Sequence, residues 1–554
     1  MLVKRIRIFS LATVFALLVS VSFLSCGKKT DEQKALIPPT AETSDGERIA
    51  VPMGGYSVSL ESVPAEYAGR ICKAYGKDAS EENLNNICFG ENIVGVGLAS
   101  VVYFGKYAEK LNDEEWEQFC TIAENLNKND SELKDVPNLR ENYVSHIPDS
   151  DYFDAMIESV ITDYCKEKGC SRQEAVNVIY SGGVTIKTPY NSSIQAIADE
   201  VYSDNSNFTP DSEKRFPQSA CAVLDYSGGV AAITGGNNGN HAYNRSYRIP
   251  HQLGSSVKPL SVYAPALDEK LINFSSLIPD EPLMFEDADG KYEWPKNYDG
   301  IYDGEITVTY ALRTSRNAAA AQLANRLTPS YCHDFMQKKF GFTTLTDDDA
   351  TYAAMALGSL ENGAYLHELA AAYAVFGNGG TYYEPHFYTE VTDSGGNVIL
   401  RKNTETHQAL DSDTAWIMNR LLYYNVNTAD GIANAAALDN TEVIGKTGTA
   451  ANDLNLDSGR IFVGAVPDYV TAVWIGFDDE SSMEDVQYTP PTEVWKKMAE
   501  QFPLEHDKFT PDDKVTEQEY CISSGGLAVK GLCESETGYY TSDNMPDKCE
   551  KCGK

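Results

Sequence analysis

The chain has 554 residues, of which 42% are hydrophobic and 23% charged, with 45 Lys and Arg against 81 Asp and Glu. This length exceeds what one hydrophobic core supports and indicates two or three domains, and the composition is that of a globular protein. The formal net charge of −36 argues against nucleic acid or an anionic membrane surface as the main partner, because like charges repel.

The N-terminus has the pattern of an export segment. Three basic residues in MLVKRIRIF precede an apolar stretch at 8–24, and SCGKK follows. Such a pattern is typical of a signal peptide whose cleavage leaves a lipidated cysteine, here Cys26. An uncleaved membrane anchor is the alternative, since the apolar stretch is near the minimum length that crosses a bilayer. In either case we expect the protein to be tethered at the extracytoplasmic face of the cell membrane.

Hydrophobic patterning divides the rest of the chain. The segment DEEWEQFCTIAENL is clearly amphipathic and predicts a helix, whereas later strand-like runs such as YVTAVWIGF bracket Ala-rich helices. Strands at both ends of a region with helices between them predict an α+β fold with an antiparallel sheet. The predicted divisions are a signal peptide or anchor at 1–25, a polar tether at 26–50, a helical region at 51–145, a linker domain at 146–214, the α+β domain at 215–501 and a Cys-rich tail at 502–554.

The segment HQLGSSVKPLSVYAPALD contains a candidate nucleophile. Its SSVK places Ser255 and Lys258 on one face of a helix. A serine becomes nucleophilic when a base removes its proton, and a lysine acts as that base when burial or a neighbouring cation lowers its pKa. A capped helix start is the alternative, because S-x-x-K alone is a common pattern.

Two later motifs carry further candidates. TSRN supplies Ser315 and Asn317, a hydroxyl that could relay a proton and an amide that could hold a substrate backbone. The alternative for TSRN is a second helix cap. GKTGTA supplies a lysine, a glycine that permits close approach, and hydroxyls along a strand, which suit an extended peptide with a carboxylate, although a glycine-bulged strand is the alternative. Its candidates are Lys446, Thr447, Gly448 and Thr449.

The C-terminal tail contains four cysteines, Cys521, Cys533, Cys549 and Cys552. Four such residues form either a zinc site or a pair of disulfides, and export favours disulfides. The eight histidines show no metal-binding spacing. We therefore assign no histidine to a metal site, while zinc at the four cysteines stays an alternative to disulfides.

The order S-x-x-K, S-x-N, K-T-G within one domain is a specific pattern that resembles the penicillin-binding proteins and the β-lactamases related to them. The flanking segments FPQSACAVLDYSGGVAAITGG and RIFVGAVPDYVTAVWIGFDD resemble strands of a penicillin-binding transpeptidase domain. The resemblance covers about residues 181–500 and is strongest to the class A, bifunctional type. It implies the transpeptidase fold over the α+β domain.

The resemblance also implies the chemistry, which needs no metal and no cofactor. Ser255 would attack the carbonyl of a terminal D-Ala–D-Ala of a peptidoglycan stem peptide, and Lys258 would take its proton. Backbone N–H groups of Ser255 and Thr449 would form the oxyanion hole. An amine of a neighbouring strand would then resolve the acyl-enzyme into a cross-link, whereas a β-lactam would acylate Ser255 and stall.

The remaining motif residues would handle the leaving group and the substrate. Ser315, in the field of Lys446, would pass a proton to the departing D-alanine, and Asn317 would orient the acyl chain. Thr447 and Thr449 would bind the terminal carboxylate.

The segment EENLNNICFGENIVGVGLASVVYFGKYAEKL resembles the later half of a class A glycosyltransferase domain. The earlier half would hold a catalytic glutamate within E-D-x-x-F-x-x-H-x-G, which this sequence does not contain. General acid/base work on a lipid-linked sugar needs that carboxylate. We therefore expect 51–145 to be a truncated, inactive remnant, with a separate glycan polymerase as partner.

Two other functions fit the same motifs. A D,D-carboxypeptidase or β-lactamase would use water in place of the acceptor amine, and it would turn penicillin over rapidly. A non-catalytic cell-wall scaffold or sensor would keep the fold but form no penicillin adduct.

Overall fold

The computed structural model describes residues 39–50, 60–87, 89, 95–104, 108, 111–126, 150–181, 183–237, 244–287, 290–451, 456–486 and 490–552. Cys26 and the rest of the predicted export segment lie outside these residues. Within them, the helices are too short or too polar to cross a membrane.

The described helices are α1 Ala65–Ala74, α2 Glu81–Asn86, α3 Val96–Phe104, α4 Asp113–Leu126, α5 Asp151–Lys168, α6 Arg172–Ser181, α7 Ser192–Ser203, α8 Ala264–Asp268, α9 Val308–Arg313, α10 Asn317–Leu327, α11 Pro329–Phe340, α12 Tyr352–Leu357, α13 Leu366–Ala374, α14 Ser412–Asn427 and α15 Pro491–Ala499.

The described strands are β1 Thr40–Glu42, β2 Arg48–Ala50, β3 Thr185–Lys187, β4 Gln218–Leu224, β5 Val230–Thr234, β6 Leu277–Asp280, β7 Leu283–Asp287, β8 Gly290–Trp294, β9 Gly304–Thr307, β10 Thr381–Tyr383, β11 Glu390–Thr392, β12 Val398–Arg401, β13 Thr406–Gln408, β14 Ile444–Ala451, β15 Asp457–Ala465, β16 Val470–Gly476, β17 Thr516–Cys521 and β18 Ser535–Tyr540.

The chain divides into two compact units. The N-terminal unit comprises the described parts of Pro52–Pro148 together with Cys170–Val184, and the C-terminal unit comprises Thr40–Val51, Asp149–Gly169 and Thr185–Lys554. The predicted linker at 146–214 contributes residues to both units. The predicted domain boundaries stay predictions.

The N-terminal unit is built on an aromatic core between α1 and α4. Tyr67 stacks on Trp116 with ring centroids 5.6 Å apart, and Phe119 packs on the same indole. Helix α4 is the amphipathic helix predicted from its sequence. It begins with a capping box in which Asn112 Oδ1 accepts from the Glu115 N–H and Glu115 Oε2 accepts from the Asn112 N–H.

The C-terminal unit is organised by an antiparallel sheet in the order β14-β15-β16-β4-β5. Its central strands are buried on both faces because helices cover them. Val473 and Ile475 of β16 share a core with α7 and α15, while the Ala-rich α13 packs on β16 and β4. The predicted α+β fold with an antiparallel sheet flanked by helices is confirmed.

Strand β14 forms one edge of this sheet, and α14 packs against it. Two side-chain amides of α14 hold the beginning of the strand. Asn425 Nδ2 donates to the Gly445 carbonyl over 2.6 Å, and Asn427 Nδ2 donates to the Val443 carbonyl over 2.7 Å. The K-T-G residues therefore lie on a strand that is fixed at its beginning and paired along one side with β15.

Candidate active site

Ser255 lies in a tight turn rather than at the start of an ordinary α-helix. A 3-10 turn spans Gly254–Val257 and a π-helical turn spans Pro259–Tyr263 before α8. Pro259 explains the change, because proline lacks the N–H that an uninterrupted α-helix would use. In a 3-10 turn residues three apart eclipse one another, so Ser255 and Lys258 still share one side.

The Ser255 side chain is half-buried and is not a helix cap. It makes no hydrogen bond to any residue that the structure describes, so its hydroxyl is not joined to Lys258 in this state. Catalytic hydrogen bonds often tighten only when substrate is bound. The alternative of a serine N-cap at this position is wrong.

The turn before Ser255 packs directly on the edge strand. Gly254 has φ of +51°, and a Cβ there would lie 2.2 Å from the Thr449 carbonyl oxygen. A Cβ on Gly448 would lie 2.1 Å from the Leu253 carbonyl oxygen. Glycine at both positions therefore lets the nucleophile turn and the K-T-G strand touch through their backbones.

Lys258 is completely buried, and its ammonium group is surrounded by neutral acceptors. Nζ donates to the Ser315 carbonyl over 2.8 Å and to Asn317 Oδ1 over 2.7 Å, with Ser315 Oγ at 3.4 Å. Burial, aided by the nearby charge of Lys446, lowers the pKa of Lys258 well below its usual range. Lys258 therefore loses its proton more readily than an exposed lysine does.

Lys446 is also completely buried, on β14. Its Nζ donates to Ser315 Oγ over 2.8 Å and to the Thr447 carbonyl over 3.0 Å. Burial lowers the pKa of Lys446 to about 7. Ser315 therefore connects the two lysines, one through its hydroxyl and the other chiefly through its carbonyl.

Ser315 has a strained backbone. Helix α9 ends in a Schellman motif, in which the Ser315 N–H donates to the Leu312 carbonyl and the Arg316 N–H donates to the Ala311 carbonyl. The left-handed position of this motif is usually glycine, but here Ser315 occupies it with φ of +60°. A left-handed backbone costs about 1–2 kcal/mol for a residue with a Cβ. Strain of this kind concentrates at functional sites.

Asn317 is the first residue of α10, and its side chain bridges two segments. Its Oδ1 accepts from Lys258, and its Nδ2 donates to the Lys296 carbonyl over 2.9 Å. The cap of α10 comes from outside the motif, because Asn297 Oδ1 accepts from the Asn317 and Ala318 N–H groups. The alternative of a helix cap from TSRN is wrong, since no TSRN side chain caps α10.

Sequence reasoning missed five residues that hold this loop. Asn297 Nδ2 donates to the buried Asp280 over 2.8 Å. Arg316 pairs with Asp299 at 2.9 Å and with Asp303 at 2.6 Å. Asp280 ends β6, and Asn297, Asp299 and Asp303 lie in the segment between β8 and β9, outside every motif. Only Arg316, which lies inside TSRN, offered a signal in the sequence.

A cleft of about 980 Å³ opens above the cluster and is lined by Ser255, Asn317, Thr449, His251, Trp474 and Leu360. His251 stacks on Trp474 with ring centroids 4.2 Å apart, and burial lowers its pKa to about 4, so the ring is neutral at neutral pH. Thr449 is exposed and Thr447 is half-buried. The cleft thus combines a serine, an amide and a strand hydroxyl over two buried lysines.

Comparison with known proteins agrees with this geometry. Residues 219–491 match the family model described as the penicillin binding protein transpeptidase domain. The chain is 34% identical to penicillin-binding protein 1A of Clostridium acetobutylicum over 59% of this chain and 42% of that protein. It is 29% identical to penicillin-binding protein 1F of Bacillus subtilis over 80% of this chain and 64% of that protein.

A crystal structure of penicillin-binding protein 1A from Haemophilus influenzae shares the fold, with a TM-score of 0.62 and 18% identity over 94% of this chain and all of that one. The PonA1 protein from Mycobacterium tuberculosis, solved in complex with penicillin V, superposes with a TM-score of 0.53 and 21% identity over 64% of this chain and 95% of that one.

The chain spans about 42% of the length of penicillin-binding protein 1A from Clostridium acetobutylicum and from two strains of Clostridium botulinum. The match nevertheless contains all three motifs, together with the sheet that positions them. Residues 219–491 therefore form a transpeptidase domain of the penicillin-binding protein type.

Proposed function

We propose that the chain is a serine D,D-transpeptidase that cross-links peptidoglycan stem peptides through an acyl-enzyme on Ser255. The observation that carries this proposal is the hydrogen-bonded set Lys258–Ser315–Lys446, buried below a cleft that Ser255 and Thr449 line. Perturbed lysines in a cleft are a signature of catalytic chemistry.

In the acylation step, the Ser255 oxygen attacks the carbonyl carbon of the penultimate D-alanine while neutral Lys258 accepts the hydroxyl proton. Negative charge develops on the carbonyl oxygen between the N–H groups of Ser255 and Thr449. Ser315 Oγ, hydrogen-bonded to Lys446, then delivers its proton to the departing amine of D-alanine and receives the Ser255 proton from protonated Lys258, which becomes neutral again. The peptide bond breaks and an ester to Ser255 remains.

In the second step, an amine from a neighbouring stem peptide attacks this ester. A proton leaves the amine by the same lysine–serine path, and the Ser255 oxygen is released as the hydroxyl. Asn317 holds the acyl chain in both steps. In the acylation step, before D-alanine leaves, the Thr447 and Thr449 hydroxyls hold the terminal carboxylate of the donor. This assignment gives the K-T-G strand the role of a docking edge for an extended peptide.

The proposal extends to the rest of the chain. The N-terminal unit has no glycan-polymerising activity in this proposal, because the sequence lacks the E-D-x-x-F-x-x-H-x-G segment. A separate polymerase supplies the glycan. The export pattern that ends at Cys26 tethers the protein to the extracytoplasmic face of the cell membrane, by a lipid or an uncleaved anchor.

Intact-mass spectrometry after penicillin treatment tests the assignment of the nucleophile. We expect one adduct per chain, mapped to the Ser255 peptide, and none in Ser255→Ala. The matched control is Ser227→Ala, in a surface turn of the same unit, which should label normally. A persistent adduct in Ser255→Ala would contradict the proposal, and rapid penicillin hydrolysis without an adduct would identify a hydrolase.

Two assays test the wider claims. Purified protein should join a D-Ala–D-Ala donor peptide to an acceptor amine with release of D-alanine, and it should not polymerise lipid-linked disaccharide. Palmitate labelling in cells should be lost in Cys26→Ser if the tether is a lipid. Glycan chains formed by the protein alone would overturn the predicted loss of glycosyltransferase activity.

A further inference from the structure

We propose that Cys521, Cys533, Cys549 and Cys552 together bind one Zn²⁺ ion. We also propose that this ion fixes the hairpin of β17 and β18, which contacts the helix before Ser315. The four sulfur atoms all lie within 4.8 Å of one another. Tetrahedral zinc with Zn–S bonds near 2.3 Å places its sulfurs about 3.8 Å apart. The Cys521 and Cys552 sulfurs are 3.5 Å apart, which fits that spacing.

The four thiols form one group rather than two pairs. None of them is joined in a disulfide, and each is close to the other three. Two disulfides would separate the set into two bonded pairs. A single tetrahedral ion uses all four sulfurs equally, so the arrangement favours a metal over the disulfides that export alone would suggest.

The backbone of the tail is folded to bring these sulfurs together. Strand β17 ends at Cys521, whose N–H donates to the Gly526 carbonyl, and the Cys549 N–H donates to the Leu527 carbonyl. These two bonds place the CxxC segment against the turn that follows β17. Cys521 and Cys549 are buried, whereas the other two are half-buried.

Two backbone amides point at the sulfurs. The Val529 N–H donates to Cys533 Sγ over 3.3 Å, and the Cys552 N–H donates to Cys549 Sγ over 3.4 Å. Such outer contacts orient metal-binding thiolates and offset their negative charge. Zinc suits the set because it prefers four thiolates in tetrahedral geometry and undergoes no redox change.

The hairpin that carries this site contacts the helix that leads to Ser315. Glu536 of β18 accepts from Arg313, the last residue of α9, over 2.9 Å. Tyr540 donates to Ser275 Oγ over 2.7 Å, and Ser275 Oγ donates to the Gly525 carbonyl over 2.6 Å. Zinc would therefore hold the β17–β18 hairpin against the end of α9, two residues before the strained Ser315. We call this contact between Glu536 and Arg313 the brace. This second claim rests on the proposed function.

Metal analysis of the full chain, purified without chelators, tests the site itself. We expect one zinc per chain, and four thiols that react only after chelation under denaturing conditions. Cys549→Ser should lose the zinc, whereas Cys170→Ser, a half-buried cysteine outside the cluster, should keep it. Metal-free wild type whose mass lacks four hydrogen atoms would show two disulfides and overturn the site, as would iron in place of zinc.

The rate of penicillin acylation tests the brace. Removal of zinc with a chelator should slow acylation at least tenfold, and added Zn²⁺ should restore the rate. Glu536→Gln, which keeps the four cysteines, should bind zinc but acylate more slowly. An unchanged rate in zinc-free protein would overturn the brace alone. A zinc-loaded wild type that never forms an adduct would instead contradict the proposed function.

Discussion

The two units of this protein differ in whether their charged side chains lie at the surface or in the interior. In the N-terminal unit, Arg70 pairs with Glu117 over 2.8 Å at the surface, and the side chains that the structure describes include no buried Asp, Glu, Lys or Arg. In the transpeptidase domain, Lys258 and Lys446 are completely buried and bonded to a carbonyl, an amide and a hydroxyl.

This contrast distinguishes surface charges, which have little effect on stability, from buried charges, which are associated with the reaction. Surface ion pairs contribute little because water already solvates both partners. A buried cation without a carboxylate partner lowers stability, and it persists only where its altered pKa has a use. The lysines thus mark the reactive part of the chain more clearly than any acidic cluster does.

The largest expected effect is on the base. Lys258→Ala should slow penicillin acylation by about 10²–10⁴-fold, because a positioned base typically contributes that factor. A time course of adduct formation by mass spectrometry measures it. Arg70→Ala removes an exposed cation in the other unit and should leave the rate unchanged. Equal acylation rates in wild type and Lys258→Ala would show that the buried lysine matters no more to the reaction than the surface cation of the N-terminal unit.

The second prediction concerns stability and pH. The pKa of Lys446 is about 7 in the folded protein and about 10.4 in an unfolded chain. Between these values the unfolded state binds more protons, so the cost of burying Lys446 is full below pH 7 and disappears as pH rises toward 10. Lys446→Met should therefore stabilise the domain by a few kcal/mol near pH 7 and much less at pH 10.

Thermal unfolding of both proteins at pH 7 and pH 10 measures this difference. Lys73→Met, at an exposed site in α1, serves as the control and should show no such dependence. A gain for Lys446→Met that is the same at both pH values would contradict the burial of a titrating amine.

The third prediction concerns backbone strain. Ser315→Gly and Ser315→Ala should both lose acylation, but the glycine variant should be about 1 kcal/mol more stable because glycine accepts φ of +60°. Gly76 in the N-terminal unit has φ of +68° and open space around it. Gly76→Ala should lower the free energy of unfolding by a similar amount, about 1 kcal/mol, without any change in the acylation rate. Equal stability of the two Ser315 variants would rule out strain.

The smallest expected effect is on helix caps. Asn297→Ala and Ser80→Ala each remove a cap, from α10 and α2 respectively, and each should cost about 1 kcal/mol of unfolding free energy. Only Asn297→Ala should also slow acylation, because that cap positions Asn317. Denaturant unfolding and the mass assay measure the two effects, and a rate change in Ser80→Ala would contradict the separation.

Local spacing allowed the motif residues to be identified from sequence. Ser255 and Lys258 share a turn, Ser315 and Asn317 flank a helix start, and Lys446 begins its motif on a strand. That these segments meet in one cleft came from the family resemblance, because spacing within a motif says nothing about contacts between motifs.

Two features could not be predicted in this way. Asn297, in the segment between β8 and β9, and Asp280, at the end of β6, act on the site from outside its motifs, and no local pattern distinguishes them from ordinary surface or core residues. The S-x-x-K spacing predicts an ordinary helix at Ser255, whereas Pro259 and the backbone contact at Gly254 produce 3-10 and π-helical turns. Tertiary contacts here override the helical pattern of the sequence.

The position of β14 at the sheet edge has a consequence for selectivity. An edge strand offers backbone hydrogen bonds to any extended chain, so it does not by itself distinguish one peptide from another. If β14 binds the donor peptide as proposed, selection among peptides would fall to side chains that line the cleft, and Trp474 and Leu360 are two of these. Exchanging these two residues should retune the choice of donor without touching the reaction itself.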